Sequence, residues 1–363
     1  MVGEPVTLSN LTAIDCDVHP TVPEMKTLWP YLSEMWREVA EQRGIDYLDT
    51  MSYPPAAPLS ARADWREKGL PASSTVEQMR SNLLAHRPSS LAICNPLYGV
   101  QLVYNADMAA AFTTALNEWT AQEWLDKEPR LRASIVVPLQ DINLALAEIE
   151  RRAGDPRFVQ IMVLAMGETL LGRRSYWPIY EAAQKHGLPI AIHAGSAYRH
   201  PLTSLGWPSY FLEDYTSQAQ GFQAQVASMI CEGVFVKYPE LKVVLLESGV
   251  TWVPGFLWRL AKFWRGVRAE VPWVNRPPPD IFRDHFRISI QPFDGPDDDP
   301  AAVAKIIEHL QSDDLLLFAS DYPHWQFDGD EPMPAGIPEQ LHRKILIDNP
   351  LATYPRIRAS LGA

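Results

Sequence analysis

Asp15-Cys16-Asp17-Val18-His19-Pro20 closes the first apolar run of this chain, and Ser320-Asp321-Tyr322-Pro323-His324 closes another near the opposite end. Between them lie Ala191-Ile192-His193-Ala194-Gly195 and Leu245-Leu246-Glu247-Ser248-Gly249. Each polar group follows a short run of β-forming apolar residues: Leu11–Ile14, Ile190–Ile192, Val243–Leu246 and Leu315–Ala319. Carboxylates and imidazoles are the side chains that hold a divalent metal. Asp17 and His19 stand two apart on extended chain, so both project to the same side as a two-ligand clamp. Asp17, His19, His193 and Asp321 are therefore the candidate metal ligands, with Glu247 placed to join them. Singly, each has an ordinary structural alternative: a capping or turn aspartate, or a hydrogen-bonded histidine. Together, ligand-type groups at the ends of separate apolar runs point to one site.

Glu247 follows four aliphatic residues, where an unpaired carboxylate is costly to bury. It needs a metal, a cation or a hydrogen-bond network, and Arg259 and Lys262 on the following helix are its structural alternatives. Asp321, Glu247 and His324 are the candidate catalytic groups. A metal held there would lower the pKa of a bound water and polarise a substrate group. Arg199 and His200, beside Tyr198, are expected to meet a substrate carboxylate. Gln291 is expected to orient a ligand, and Trp325, with Trp207 and Phe293, to wall the pocket.

These groups require strands whose ends converge. Strand-like runs at Leu11–Ile14, Leu91–Cys94, Arg132–Val137, Phe158–Leu164, Pro189–His193, Leu241–Leu246, Phe286–Ile290 and Leu315–Ala319 alternate with helix-like segments. Those segments are Asn105–Leu125, Asn143–Ala153, Ser175–His186, Gln218–Phe235, Trp252–Val267, Asp299–Leu310 and Pro338–Leu346. Alternation of this kind predicts an α/β fold, a TIM (β/α)8 barrel, with catalytic groups at the C-terminal strand ends. One barrel domain is expected over 1–363. Glu24 to Pro88 interrupts the rhythm and contains Tyr53-Pro54-Pro55-Ala56-Ala57-Pro58, which suits neither a strand nor a helix interior. Following the first strand, it is expected to cap the catalytic face. Arg276-Pro277-Pro278-Pro279 reads as a stiff connector.

The chain has 363 residues, 47% of them hydrophobic, which permits a large core. Its net charge of −12 and lack of a basic run argue against nucleic acid or an anionic membrane as partner. No apolar run reaches membrane-spanning length, and the first residues carry no signal-peptide pattern, so a cytoplasmic location is expected. The three cysteines, Cys16, Cys94 and Cys231, have no zinc-finger or redox spacing and read as reduced, mostly buried thiols. There is no phosphate loop, dinucleotide fingerprint or Gly-x-Ser-x-Gly elbow.

The ordered set Asp-x-Asp-x-His-Pro, His-Ala-Gly, Glu-Ser-Gly and Ser-Asp-Tyr-Pro-His resembles the amidohydrolase superfamily. It is most similar to the amidohydrolase-related branch, which includes aminocarboxymuconate-semialdehyde and resorcylate decarboxylases. The resemblance extends over nearly the whole chain, through Tyr176-Trp177-Pro178-Ile179-Tyr180 and Asp348-Asn349-Pro350. It implies that Asp17 and His19 form the strand-one ligand pair, His193 the strand-five ligand and Asp321 the strand-eight ligand. The departure is on strand six, where such decarboxylases usually place a histidine and this chain has Glu247. No metal-bridging lysine stands in Leu164-Ala165-Met166-Gly167-Glu168 after strand four.

The implied function is metal-dependent hydrolysis or decarboxylation of a small carboxylate- or amide-bearing molecule, with one or two zinc, manganese or iron ions. A carboxylate-rich site also suits iron or manganese oxygenase chemistry, in which the product is hydroxylated. A third alternative is a metal-bearing support subunit of a hetero-oligomer with a related catalytic chain. Homo- or hetero-oligomers of such barrels are expected.

Overall fold

Eight short apolar runs extend as parallel strands in the computed structural model, which describes residues 6–48, 61–195, 201–203, 205–296, 298–325 and 333–362. They are β1 (Ala13–Val18), β2 (Ser90–Cys94), β3 (Leu131–Val136), β4 (Phe158–Leu164), β5 (Ile190–His193), β6 (Val243–Leu246), β7 (Phe286–Ser289) and β8 (Leu316–Leu317). Their spatial order is their sequence order. β1 and β8 close the ring: Cys16 N–H donates to Phe318 O at 2.9 Å, Asp321 N–H to Asp17 O at 3.0 Å, and His19 N–H to Tyr322 O at 2.8 Å. The fold is the expected (β/α)8 barrel.

Side-chain alternation sorts the strand residues into two layers. Ile190, Ile192, Val243, Leu245 and Ile288 belong to the larger apolar cluster, with helix residues such as Ile179, Phe222 and Val226. The alternate residues Leu91, Ile93, Ala191, Val244, Leu246 and Leu317 form a smaller cluster, onto which Tyr354 and Ile357 from the C-terminal end pack. Cys16 packs in this smaller cluster, Cys94 is also buried, and all three cysteines are unbridged.

The element boundaries follow the expected rhythm with three informative differences. Pro278 and Pro279 of the expected stiff connector instead open a helix, Pro278–His285, because proline suits the first turn, where its missing N–H is not needed. β1 runs on to Val18 instead of stopping at Ile14, because β8 and β2 supply ladder partners to its polar end. The helix expected from Gln218 begins at Phe211, since Glu213 Oε2 accepts from the N–H groups of Ser209 (2.8 Å) and Tyr210 (2.9 Å) and starts it early. Among the described residues, no helix is long and apolar enough to cross a membrane.

Within 24–88 lie a 3-10 turn at Met25–Tyr31, a helix at Glu34–Arg43, and a helical stretch from Val76 to Leu84. The Tyr53-Pro54-Pro55 run lies outside the described residues. Beyond it, Arg62 N–H donates to Pro323 O at 2.9 Å and Ala61 bridges to His324. Trp65 packs on Tyr322 with ring centres 4.8 Å apart. Further along, Arg80 ties this region to the opposite end of the barrel, donating from Nε to Glu128 at 2.8 Å, just ahead of β3.

Glu128 also accepts from Arg130 Nε at 2.8 Å. Burial opposes its charge, but the two guanidinium groups outweigh that and pull its pKa from 4.5 to about 2. A carboxylate whose pKa is lower folded than unfolded stabilises the fold above its unfolded pKa, and loses that contribution as pH falls towards the folded value. Since Arg80 is partly solvated, Glu128→Gln is expected to cost about 2 kcal/mol at neutral pH. Urea midpoints of parent and variant should converge as the pH is lowered from about 4.5 towards about 2.

Candidate metal centre

Four strand ends deliver the polar groups to one place. Asp17 and His19 come from the end of β1, His193 is the last residue of β5, Glu247 follows β6, and Asp321 and His324 follow β8. Asp17, His19, His193 and Glu247 offer ligand atoms that all lie within 4.8 Å of one another, and so do His19, Glu247, Asp321 and His324. His19 Nε2 is 3.3 Å from Asp17 Oδ1, 3.3 Å from Glu247 Oε1 and 3.0 Å from Asp321 Oδ1. His193 Nε2 lies 3.3 Å from Asp17 Oδ2, and His324 Nδ1 lies 3.2 Å from Glu247 Oε1 and 2.6 Å from Asp321 Oδ1.

Local backbone conformation aims the two carboxylates that follow strands. Glu247 has φ 53° and Asp321 φ 57°, both left-handed. Aspartate tolerates this region better than most residues, whereas glutamate gains nothing local there, and such strain costs on the order of 1–3 kcal/mol. The chain ends β6 and β8 abruptly and turns both side chains into the barrel mouth. Ser289 on β7 supports one turn by accepting the Glu247 N–H at 3.1 Å. Asp15 supports the other by accepting the Ser320 N–H at 2.9 Å.

The second nitrogen of each strand-borne imidazole is committed elsewhere. His19 Nδ1 lies 2.8 Å from Asn95 O, and His193 Nδ1 lies 2.8 Å from Ala194 O. A carbonyl only accepts, so in each case Nδ1–H donates and Nε2 faces the centre. His193 Nε2, Asp17 Oδ2 and Asp321 Oδ2 are buried without a hydrogen-bond partner. Buried polar atoms are almost always satisfied, so three orphans on residues of one cluster mark a place for a ligand. The donor set of imidazole nitrogens and carboxylate oxygens suits a divalent cation.

Electrostatics favours the same reading. Among the described residues, no lysine or arginine pairs with Asp17, Glu247 or Asp321; their opposite charge comes from imidazoles. Burial disfavours the imidazolium of His324, but Asp321 and Glu247 outweigh it and raise the pKa to about 9. His19 and His193 are likewise raised by carboxylates against the pull of burial. Burial and the neighbouring Glu247 push Asp321 up to about 6, while the surrounding imidazoles hold Glu247 well below its ordinary value against burial. A cation at the centre neutralises the same carboxylates that now draw protons onto the histidines.

Of the other residues singled out by sequence, Gln291 is half-buried beyond β7, where its carbonyl accepts from Ser289 Oγ at 3.2 Å. Trp325 and Trp207 are exposed, whereas Phe293 is buried. Tyr198, Arg199 and His200 lie outside the described residues. Arg259 stacks on Phe263 and makes no described pair with Glu247.

The sequence reading missed Asn95, whose side-chain nitrogen donates to Asp17 Oδ1 at 2.7 Å. It also missed Tyr215, whose phenol is pushed up by burial and by the carboxylates of Glu247, Asp321, Asp294 and Asp17. Asn95 was signalled by its place directly after the β2 apolar run, the position His193 and Glu247 occupy on their strands. Tyr215 carried no such signal, because its segment of helix was not expected.

The profile of the amidohydrolase family matches residues 14–356, and the chain belongs to that family. It is 24% identical over 242 residues to a gamma-resorcylate decarboxylase of Polaromonas sp. strain JS666, covering 63% of this chain and 71% of that protein. Among solved structures, a dihydroxybenzoic acid decarboxylase from Polaromonas sp. JS666, with bound manganese and the inhibitor 2-nitroresorcinol, superposes with a TM-score of 0.69 at 21% identity. That match covers 97% of this chain and 99% of the other. A 5-carboxyvanillate decarboxylase from Sphingomonas paucimobilis superposes with a TM-score of 0.63 at 21% identity, covering 95% and 99%.

Asp17→Ala, His19→Ala and His193→Ala should each lose most bound divalent metal while keeping the far-ultraviolet circular dichroism of the parent. Metal analysis after gel filtration checks this, and full occupancy in any two variants would sink the ligand set.

Proposed function

We propose that this protein is a divalent-metal-dependent decarboxylase of a small hydroxylated aromatic carboxylate. The carrying observation is the pair of overlapping ligand groups at the barrel mouth, with His324 held between Glu247 and Asp321. The names of the relatives, which act on resorcylate, dihydroxybenzoic acid and 5-carboxyvanillate, support the substrate class. Asp17, His19, His193 and Asp321 would hold the metal, with Glu247 as a further ligand. The ion would supply a positive centre to bind and orient the substrate carboxylate.

Non-oxidative decarboxylation breaks the ring-carbon–carboxyl bond, releases CO2 and requires one proton at the ring carbon. His324 Nδ1 lies 2.6 Å from Asp321 Oδ1 and 3.2 Å from Glu247 Oε1, so it would deliver the proton to the ring carbon and draw on these two carboxylates to restore it. Asp321, Glu247 and His324 would therefore form the proton-handling group. Tyr215, held in its protonated donor form, would meet a substrate oxygen. Gln291 and Trp325 would border the substrate, and Arg199 and His200 would meet its carboxylate. Within the expected cap, 24–88, the part around Ala61, Arg62 and Trp65 would cover this face, a reading supported by its contacts with 322–324, whereas Arg80 reaches the opposite end of the barrel.

A second reading is oxygen-dependent hydroxylation at one or two iron or manganese ions, in which one atom of O2 enters the ring and the other leaves as water, with two electrons taken from a reductant such as ascorbate added to the assay. It is favoured by Glu247, which stands where a histidine is usual and belongs to both ligand groups. Extra carboxylate charge lowers the electrophilicity of a bound ion and suits higher oxidation states.

The two readings separate on oxygen. Protein loaded with manganese, iron or zinc and offered hydroxylated benzoates should release CO2 at equal rates with and without air. Turnover that requires oxygen, with retention of the carboxyl group, would replace the first reading by the second. Glu247→His is expected to shift metal preference towards zinc and to lower turnover by at least ~100-fold, the scale of losing a positioned acid–base group. Unchanged metal content and turnover would show Glu247 to be a structural carboxylate.

A further inference from the structure

Behind the ligands, three fully buried polar side chains cross the barrel interior from β2 to β4: Asn95, Ser134 and Gln160. Gln160 Nε2 donates to Ser134 Oγ at 2.9 Å and to Asn95 Oδ1 at 3.1 Å. The Ser134 hydroxyl donates to Asn95 Oδ1. Asn95 Nδ2 in turn donates to Cys16 O at 3.1 Å and to Asp17 Oδ1 at 2.7 Å. The amide cannot be reversed, because its nitrogen faces two acceptors and its oxygen two donors. The Asn95 backbone is engaged as well: its N–H donates to Val18 O at 2.7 Å, and its carbonyl accepts from His19 Nδ1–H at 2.8 Å.

One residue therefore sets two ligands. The amide N–H holds Asp17 Oδ1, which lies 3.3 Å from His19 Nε2, and leaves Oδ2, 3.3 Å from His193 Nε2, without a hydrogen-bond partner. The carbonyl fixes the His19 tautomer that presents Nε2. The chain carries a cost, since Gln160 Oε1 is buried without a partner. Turning that amide over to satisfy the oxygen elsewhere would place it against Asn95 Oδ1. Gln160 is thus kept as a pure donor, an arrangement that core packing alone does not require.

We propose that Asn95, Ser134 and Gln160 form a one-directional positioning chain that orients the Asp17–His19 clamp for a divalent metal, with Ser134 and Gln160 acting through Asn95. The inference rests on the metal reading of the centre, and its test reads metal binding, not turnover. Ser134→Ala removes the donor to Asn95 Oδ1, Ser134→Thr keeps it, and Gln160→Met removes the amide at similar volume. Manganese affinity, by competition with a chelator, should fall by roughly 10-fold in Ser134→Ala and in Gln160→Met, and recover in Ser134→Thr. The visible absorption of the cobalt-substituted protein should shift in the first two variants and match the parent in the third. Thermal unfolding of each metal-free protein reports whether it is folded. Affinity and spectrum unchanged in folded Ser134→Ala and Gln160→Met would overturn the positioning chain and leave the metal reading standing. A parent protein that binds neither manganese nor cobalt would overturn both.

Discussion

Three carboxylates packed into a buried barrel mouth repel one another, and the rest of the site answers to that repulsion. Asp17 and Asp321 are buried and Glu247 nearly so, and among the described residues their positively charged partners are imidazoles. Carboxylates in this setting need positive charge close by. The carboxylates raise the pKa of His19, His193 and His324 against the pull of burial, and a divalent cation would supply the positive charge more compactly. This explains why acidic and basic groups interleave so tightly that two ligand groups share His19 and Glu247.

Holding such a cluster requires backbone that cannot relax away from it. The β1–β8 closure does part of this, because the hydrogen bond between Asp321 N–H and Asp17 O binds the two ligand-bearing segments to each other. The left-handed turns at Glu247 and Asp321 store strain that the barrel ladders, Ser289 and Asp15 keep in place. Rigid strands and strained ends together give the precision that a loop-borne cluster lacks.

Glu247 is where this protein departs from the decarboxylases it resembles. A histidine there would add an electrically neutral ligand or a proton donor; a glutamate adds charge and a bridging oxygen between the two ligand groups. His324, stacked on His19 with ring centres 4.7 Å apart, restores an imidazole from a different strand end.

The barrel was legible in the sequence, and so were the places of the candidate ligands at strand ends, because both depend on short-range pattern. Alternating apolar runs mark strands, and a candidate ligand such as His193 or Asp321 shows itself by directly following one. Asn95 obeyed the same rule, yet an amide after a strand carries no chemical signature until its partners are known. Ser134 and Gln160 read as isolated polar residues in apolar strands; only the β2–β3–β4 register lines them up behind Asp17. The early start of the helix at Phe211, set by Glu213, brings Tyr215 within electrostatic reach of the carboxylates. Sequence determines which residues stand at strand ends, since that is local periodicity. Which atoms point at one another is decided by ring closure and by buried hydrogen bonds between segments far apart in the chain, and these exist only once the barrel has formed.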